Sequence, residues 1–94
     1  MDARHVSDYD WSDEKNRWLE QTRGICFEDV LVCIENGAVL DIIRHPNRAR
    51  YPGQNMMVLN VAGYVWLVPY TKNHGVRFLK TIIPSRKATK EYLL

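Results

Sequence analysis

At Asn36-Gly37 the spacing of apolar residues changes, and that change limits the folds open to the chain. Before it, Phe27, Val30, Leu31 and Ile34 follow the i, i+3, i+4, i+7 rule of a helix with one buried face. Glu28, Asp29 and Glu35 take the other side. After it, the apolar runs are short, β-branched and separated by turn residues, which is the pattern of strands. Asn36-Gly37 itself suits the left-handed end of a helix.

The remaining elements follow from local signals. A first helix is predicted from near Trp11 to Gly24, capped by Ser12 or Asp10, with Asp13 and Glu14 complementing its positive end. Trp11, Trp18, Leu19 and Thr22 form its expected inward face. Beyond Gly37, residues 38–43 read as a strand ending at the turn His45-Pro46-Asn47, and residues 48–53 read as a basic loop. Residues 56–61 make a second strand, Ala62-Gly63 a hairpin turn, and 64–72 a central strand apolar on both faces. Pro69 has no N–H to donate, so a bulge is expected there. After Asn73-His74-Gly75 a last strand is predicted over 76–83, stopped by Pro84, and Ser85 caps a helix through Leu93. Connections this short favour antiparallel pairing. The expectation is one α+β domain over residues 1–94: two N-terminal helices, a four-stranded, mainly antiparallel sheet and a short C-terminal helix. Residues 1–8 are expected to be a loose lead-in.

Composition narrows the class. At 46% hydrophobic, the chain has apolar mass enough for a core, which argues against wholesale disorder. The uncharged stretch 54–71 is interrupted by Asn55, Asn60, Gly63 and Pro69, a poor match to the roughly 20 apolar residues of a membrane helix. The opening Asp2, Arg4, His5, Asp8 carries no apolar run, so no secretory leader is expected and the cytoplasm is the expected compartment. Cys26 and Cys33, seven apart, match neither a zinc motif nor a disulfide framework. The sequence has no Gly-rich phosphate loop and no H-E-x-x-H, so no metal and no cofactor are expected. His5, His45 and His74 fall in the tail or in turns, where a histidine is more often solvated than catalytic.

The charge is divided along the chain. Residues 1–43 hold ten acids and four bases, a net −6, while residues 44–94 hold nine bases and one acid, Glu91, a net +8. Such asymmetry points to a polyanionic partner. Lys72, Arg77, Lys80, Arg86, Lys87 and Lys90 fall within nineteen positions, with Tyr70 and Phe78 among them. Arg86 and Lys87 would occupy the first turn of the last helix, where unpaired N–H groups favour an anion. Tyr70 or Trp66 offers a ring for an unpaired base. Arg77, Lys80, Arg86 and Lys87 are thus expected to line one anion-binding face. The bland alternative is that these cations only solubilise a sheet. Lys15 and Arg23 stand about 80° apart around the first helix, and surface pairing of Lys15 with Glu14 or Glu20 is an equal reading of them.

Trp11, Lys15, Gly24, Ile25, Phe27 and Glu28 resemble the opening of the BrnT-type toxins, W-D-x-x-K followed by an asparagine and K-H-G-[VI]-x-F-E. Ile82-Ile83-Pro84-Ser85-Arg86-Lys87-Ala88-Thr89 resembles that family's I-I-S-A-R-x-A-T ending, with Tyr92 near its terminal tyrosine. The likeness spans about residues 9–92. It implies a RelE-like fold and the toxin of a type II toxin–antitoxin pair, a metal-independent endoribonuclease that arrests translation. The implied partner is a small antitoxin with a ribbon-helix-helix DNA-binding domain, and operator DNA would be bound only by the complex. From charge alone, the partner's contact segment should be acidic. Three positions depart from the pattern: Arg23 replaces a histidine, Leu19 an asparagine and Thr81 a basic residue, with Lys80 beside it. Arg23 and Lys80 would then stand in for the missing groups, or the chain would be an inactive binding module acting only through its partner. On the ribonuclease reading the catalytic candidates are Arg86 as phosphorane clamp, with Lys80, Lys15 and Arg23. The RNA-binding candidates are Tyr70, Lys72, Arg77 and Lys87.

Overall fold

A computed structural model describes residues 8–94, so the lead-in expected over 1–8 lies, except for Asp8, outside the described residues. Ser12 starts the first helix, α1 (Asp13–Arg23), by accepting a hydrogen bond from the Lys15 N–H at 3.1 Å. Gly24 ends it at φ +69°, a conformation that a Cβ would strain. Three residues later α2 (Phe27–Glu35) begins. Asn16 couples the two helices: its Oδ1 accepts the Phe27 N–H at 2.7 Å, and its Nδ2 donates to Glu28 Oε1 at 2.7 Å. That bond holds the Glu28 carboxyl below its ordinary range.

The expected inward face of α1 does not form as a stripe. Within α1 only Leu19 is buried, Trp18 is 43% exposed and Thr22 faces solvent. Trp11 lies ahead of the helix and stacks on Phe27, ring centroids 5.5 Å apart. The face expected of α2 holds better, with Phe27 and Val30 fully buried and Leu31 and Ile34 half-buried.

Among the described residues the sheet is mixed and has six strands where four were expected. They are β1 (Tyr9–Asp10), β2 (Val39–Arg44), β3 (Asn55–Val61), β4 (Tyr64–Asn73), β5 (Val76–Leu79) and β6 (Ile83–Pro84), followed by α3 (Arg86–Leu93). Their order is β1-β5-β4-β3-β2, with β6 also on β4. The β2, β3, β4 and β5 pairings are antiparallel; two-residue turns enforce this for β3–β4 and β4–β5, while β2 joins β3 across a ten-residue loop. β1 was missed because two residues carry no periodicity; it adds in parallel beside Arg77 and Phe78.

The predicted strand 76–83 is in fact two strands, and Pro69 explains the division. The Pro69 carbonyl accepts the Lys80 N–H at 2.8 Å, so the Pro69 nitrogen faces the same edge of β4. Having no N–H, it leaves the outer ladder incomplete there. Between the pairs Tyr70–Leu79 and Leu67–Ile83, the outer segment advances four residues while β4 advances three. The irregularity expected at Pro69 therefore sits opposite it, at residues 80–82, while Pro69 keeps regular register with Met56 on β3.

The result is three layers. Leu19, Ile25, Phe27 and Val30 pack on Met57, Leu59, Val68, Tyr70, Leu79 and Ile82 on one side of the sheet. On the other side Ala88 and Leu93 of α3 cover Val58, Val65, Leu67 and Ile43. Thr89 ties α3 to the central strand: its Oγ1 accepts the buried Val65 N–H at 2.8 Å and donates to the Ser85 carbonyl at 2.8 Å. The Ser85 N–H returns to the Val65 carbonyl at 3.0 Å. No helix among the described residues is long and apolar enough to cross a membrane.

Thr89→Val should leave the Val65 N–H buried without an acceptor and cost about 1–3 kcal/mol of unfolding free energy. Thr89→Ser should retain most of it. Urea denaturation of the three proteins reads the difference directly.

Candidate functional site

The cations singled out by sequence gather in three places. On α1, Lys15 and Arg23 both lie against Trp18, with Lys15 Nζ 4.5 Å and Arg23 Cζ 5.1 Å from the indole ring. Lys15 is half-buried, and with Ser12, Glu14 and Trp18 it lines a surface cavity of about 290 Å³. The ring explains how two side chains 80° apart on the helix come together, since a cation is attracted to either face of its π-system. Arg23 reaches further. Its Nη1 donates to the Ile82 carbonyl at 2.6 Å, across 59 residues of sequence. Ile82 precedes β6 and lies in the segment that diverges from β4, so its carbonyl is available to α1.

The second group is Lys80, Arg86 and Lys87, all exposed. Lys80 Nζ lies 5.0 Å from the centre of the Phe78 ring. Arg86 and Lys87 are the first two residues of α3. Ser85 Oγ accepts the Ala88 N–H at 3.0 Å, which leaves the Arg86 and Lys87 N–H groups without acceptors inside the helix. Ile82 is two residues from Lys80 and four from Arg86. Extended chain puts them at most about 7 and 14 Å from the Ile82 backbone.

The third group, Lys72 and Arg77, separates from the second. These two stand directly opposite one another on β4 and β5, and Arg77 Cζ lies 5.8 Å from the Tyr9 ring. Arg77 and Phe78 are consecutive in a strand and so project to opposite faces. Lys80 shares the Phe78 side. The single face expected of Arg77, Lys80, Arg86 and Lys87 is therefore divided by the sheet. Tyr70 also departs from expectation: it is 4% exposed and packed in the core, where its ring is closed to a base. Trp66, the alternative ring, is half-buried and lines a cavity of about 340 Å³ with Arg23, Ile25, Val32 and Cys33.

Most residues of the two motifs have structural work. Trp11 and Phe27 stack, Gly24 turns the chain, Ile25 and Ile82 are buried, Ser85 caps α3, and Ala88 and Thr89 seat it. Trp18 and Asn16 were missed by sequence reasoning. A tryptophan three residues after Lys15 was the available signal for the first, while the reach of Asn16 to α2 needed tertiary structure. Among the described residues no three His, Cys, Asp or Glu side chains converge as a metal site.

Compared with models of protein families, with curated proteins and with solved structures, the chain matches none. Over the described residues, fold and site together define a class: an α+β arrangement of three helices on a mixed sheet, with its cations divided between two faces.

Neither cysteine is a ready nucleophile. Burial, aided by the Asp29 carboxylate 3.3 Å from Sγ, pushes the Cys26 thiol up to about 11, and burial also raises Cys33. Iodoacetamide at pH 8 should therefore modify Cys26 about 100-fold more slowly than an unstructured cysteine, and urea should abolish the protection. The folded thiol holds its proton more tightly than the unfolded one. Its contribution to stability is therefore complete below about pH 9 and is lost as the pH rises through about 11.

Proposed function

We propose that this chain is the toxin of a type II toxin–antitoxin pair, an endoribonuclease that needs no metal and belongs with the BrnT-type, RelE-like toxins. The observation that carries the reading is the Arg23–Ile82 hydrogen bond. Through it, Arg23 of the opening motif is tied to the backbone of the segment that carries Lys80 and Arg86. The two stretches that carry the resemblance thus meet at Ile82, with Lys15 and Arg23 on the α1 side of the sheet and Lys80 on the Phe78 side.

In this mechanism the 2′-hydroxyl of the substrate attacks the adjacent phosphorus. The 2′-O–P bond forms and the P–O5′ bond breaks, while the 2′ proton passes to a base and the 5′-oxygen gains a proton. The products are a 2′,3′-cyclic phosphate and a 5′-hydroxyl. Arg86, exposed at the start of α3, holds the non-bridging oxygens with its guanidinium fork and the neighbouring backbone N–H groups. Lys80 supplies further positive charge as the phosphorane forms, and Lys15, on the α1 side of the sheet, acts on RNA that rounds this edge. Arg23, engaged with the Ile82 carbonyl, acts as a positioning residue between the two groups. Lys87 contributes to strand binding from the same turn, whereas Lys72 and Arg77 lie on the α1 face of the sheet and contact RNA only where it passes that face. In the resting complex a ribbon-helix-helix antitoxin covers the cations with an acidic segment.

A second reading, a non-catalytic module acting only through its partner, is favoured by the burial of Tyr70, which removes the expected base platform. It predicts complex formation without RNA cleavage even at large protein excess.

Arg86→Ala should lower the rate of RNA cleavage by about 10²–10³-fold and relieve growth arrest at equal accumulation. Arg77→Ala, on the other face, should cost less than about tenfold. Sequencing of product ends for cyclic phosphates, alongside growth curves, tests both. Equal toxicity of Arg86→Ala would remove the clamp assignment, and the absence of cyclic-phosphate ends would favour the binding module.

A further inference from the structure

The loop between β2 and β3, residues 45–54, is built around its own hydrogen bonds. The His45 N–H donates to the Gln54 carbonyl at 3.0 Å and closes the base of the loop. Inside it, the Asn47 N–H donates to His45 Nδ1 at 3.1 Å, and the Asn47 oxygens accept from the Arg50 and Tyr51 N–H groups at 3.2 and 3.0 Å. The His45 and Tyr51 rings lie against each other, centroids 4.4 Å apart. Gly53 completes the turn at φ +76°.

Beside this framework an open cavity of about 230 Å³ is lined by Arg44, Arg48, Tyr51, Gly53, Gln54 and Asn55. The lining residues carry two guanidinium forks, two carboxamides and a phenol, with no carboxylate among them. Arg50, held 5.6 Å over the Tyr51 ring, adds a third cation nearby. The nearest acid before the loop is Asp41, whose Oδ1 accepts the Ile42 N–H and whose Oδ2 accepts the Tyr92 hydroxyl, each at 2.8 Å. No acid occurs between it and Glu91. The charge of the loop is thus not offset by carboxylates nearby in sequence.

Two guanidiniums supply more paired donors than one carboxylate can accept, whereas a phosphate has oxygens enough for both forks, and its second negative charge matches the second arginine. The volume far exceeds the roughly 30 Å³ share of one water, yet lies below the about 300–1,000 Å³ of sites that enclose whole drug-sized ligands. We propose that this loop binds a terminal phosphate monoester, as carried by a nucleotide or by the end of a nucleic-acid strand. The site is separate from Arg86. Asn55 pairs with Tyr70 of β4, whereas Ser85, next to Arg86, bonds Val65, about 16 Å away along that strand, and the two lie at opposite edges of it.

The test uses the full chain, isotopically labelled for NMR, and 2′-O-methyl RNA that no 2′-hydroxyl mechanism can cut, so its outcome is independent of ribonuclease activity. Inorganic phosphate and a nucleoside 5′-monophosphate should each shift the side-chain amides of Gln54 and Asn55. A 5′-phosphorylated strand should bind at least tenfold more tightly than its 5′-hydroxyl counterpart if strand ends are the source. A mononucleotide that shifts these amides while the two strands bind alike assigns the site to small phosphate esters. Arg48→Gln should abolish the amide shifts and any strand preference, and Arg48→Lys should restore only part of them. Shifts confined to the first turn of α3, no shifts at all, or an Arg48→Gln protein that binds as well as the native chain would overturn the proposal.

Discussion

One missing hydrogen-bond donor organises the second half of this molecule. Pro69 faces the outer edge of the central strand with a carbonyl but no N–H, and the strand beside it cannot run through. The chain leaves the ladder at Lys80, buries Ile82 and rejoins β4 at Ile83. That detour makes the Ile82 carbonyl available to Arg23, and so links α1 to the far end of the sequence. Rejoining at Ile83 also delivers Ser85 to Val65, where Thr89 completes the edge and α3 starts. The position of Arg86 is set by these backbone bonds more than by contacts of its own.

The two short motifs describe packing before they describe chemistry. Trp11, Gly24, Ile25 and Phe27 set the helix pair, and Ile82, Ser85, Ala88 and Thr89 set the last turn of the fold. Once these roles are assigned, Lys15 and Arg86 are the motif positions whose charge contributes little to the interior. A sequence pattern of this kind therefore carries more information about where a cation is held than about what it does there.

The division of charge along the chain also acquires a different meaning in three dimensions. The basic half covers the β2–β3 loop, the end of the β4–β5 hairpin and the start of α3. Strand alternation sends Arg77 and Phe78 to opposite faces, and sheet order separates the Arg44–Arg48 loop from Arg86 by the width of the sheet. A net charge of +8 is thus several smaller anion-binding surfaces with different geometries.

Local rules sufficed for much of this fold. Ser12 and Ser85 as caps, Gly24 and Gly37 as helix ends, and the tight turns at Ala62-Gly63 and His74-Gly75 all follow from residue type and short-range spacing, because each is decided by bonds within a few residues. The two-residue strands β1 and β6, the division of the last predicted strand, the burial of Tyr70 and the bond of Arg23 to Ile82 were not legible. Each depends on a partner far away in sequence. The sequence by itself determined that two helices precede a hairpin-linked sheet and that the second half is cationic. Only the tertiary structure decided which cations share a surface, because face and edge are properties of paired strands, and pairing is a contact between distant residues.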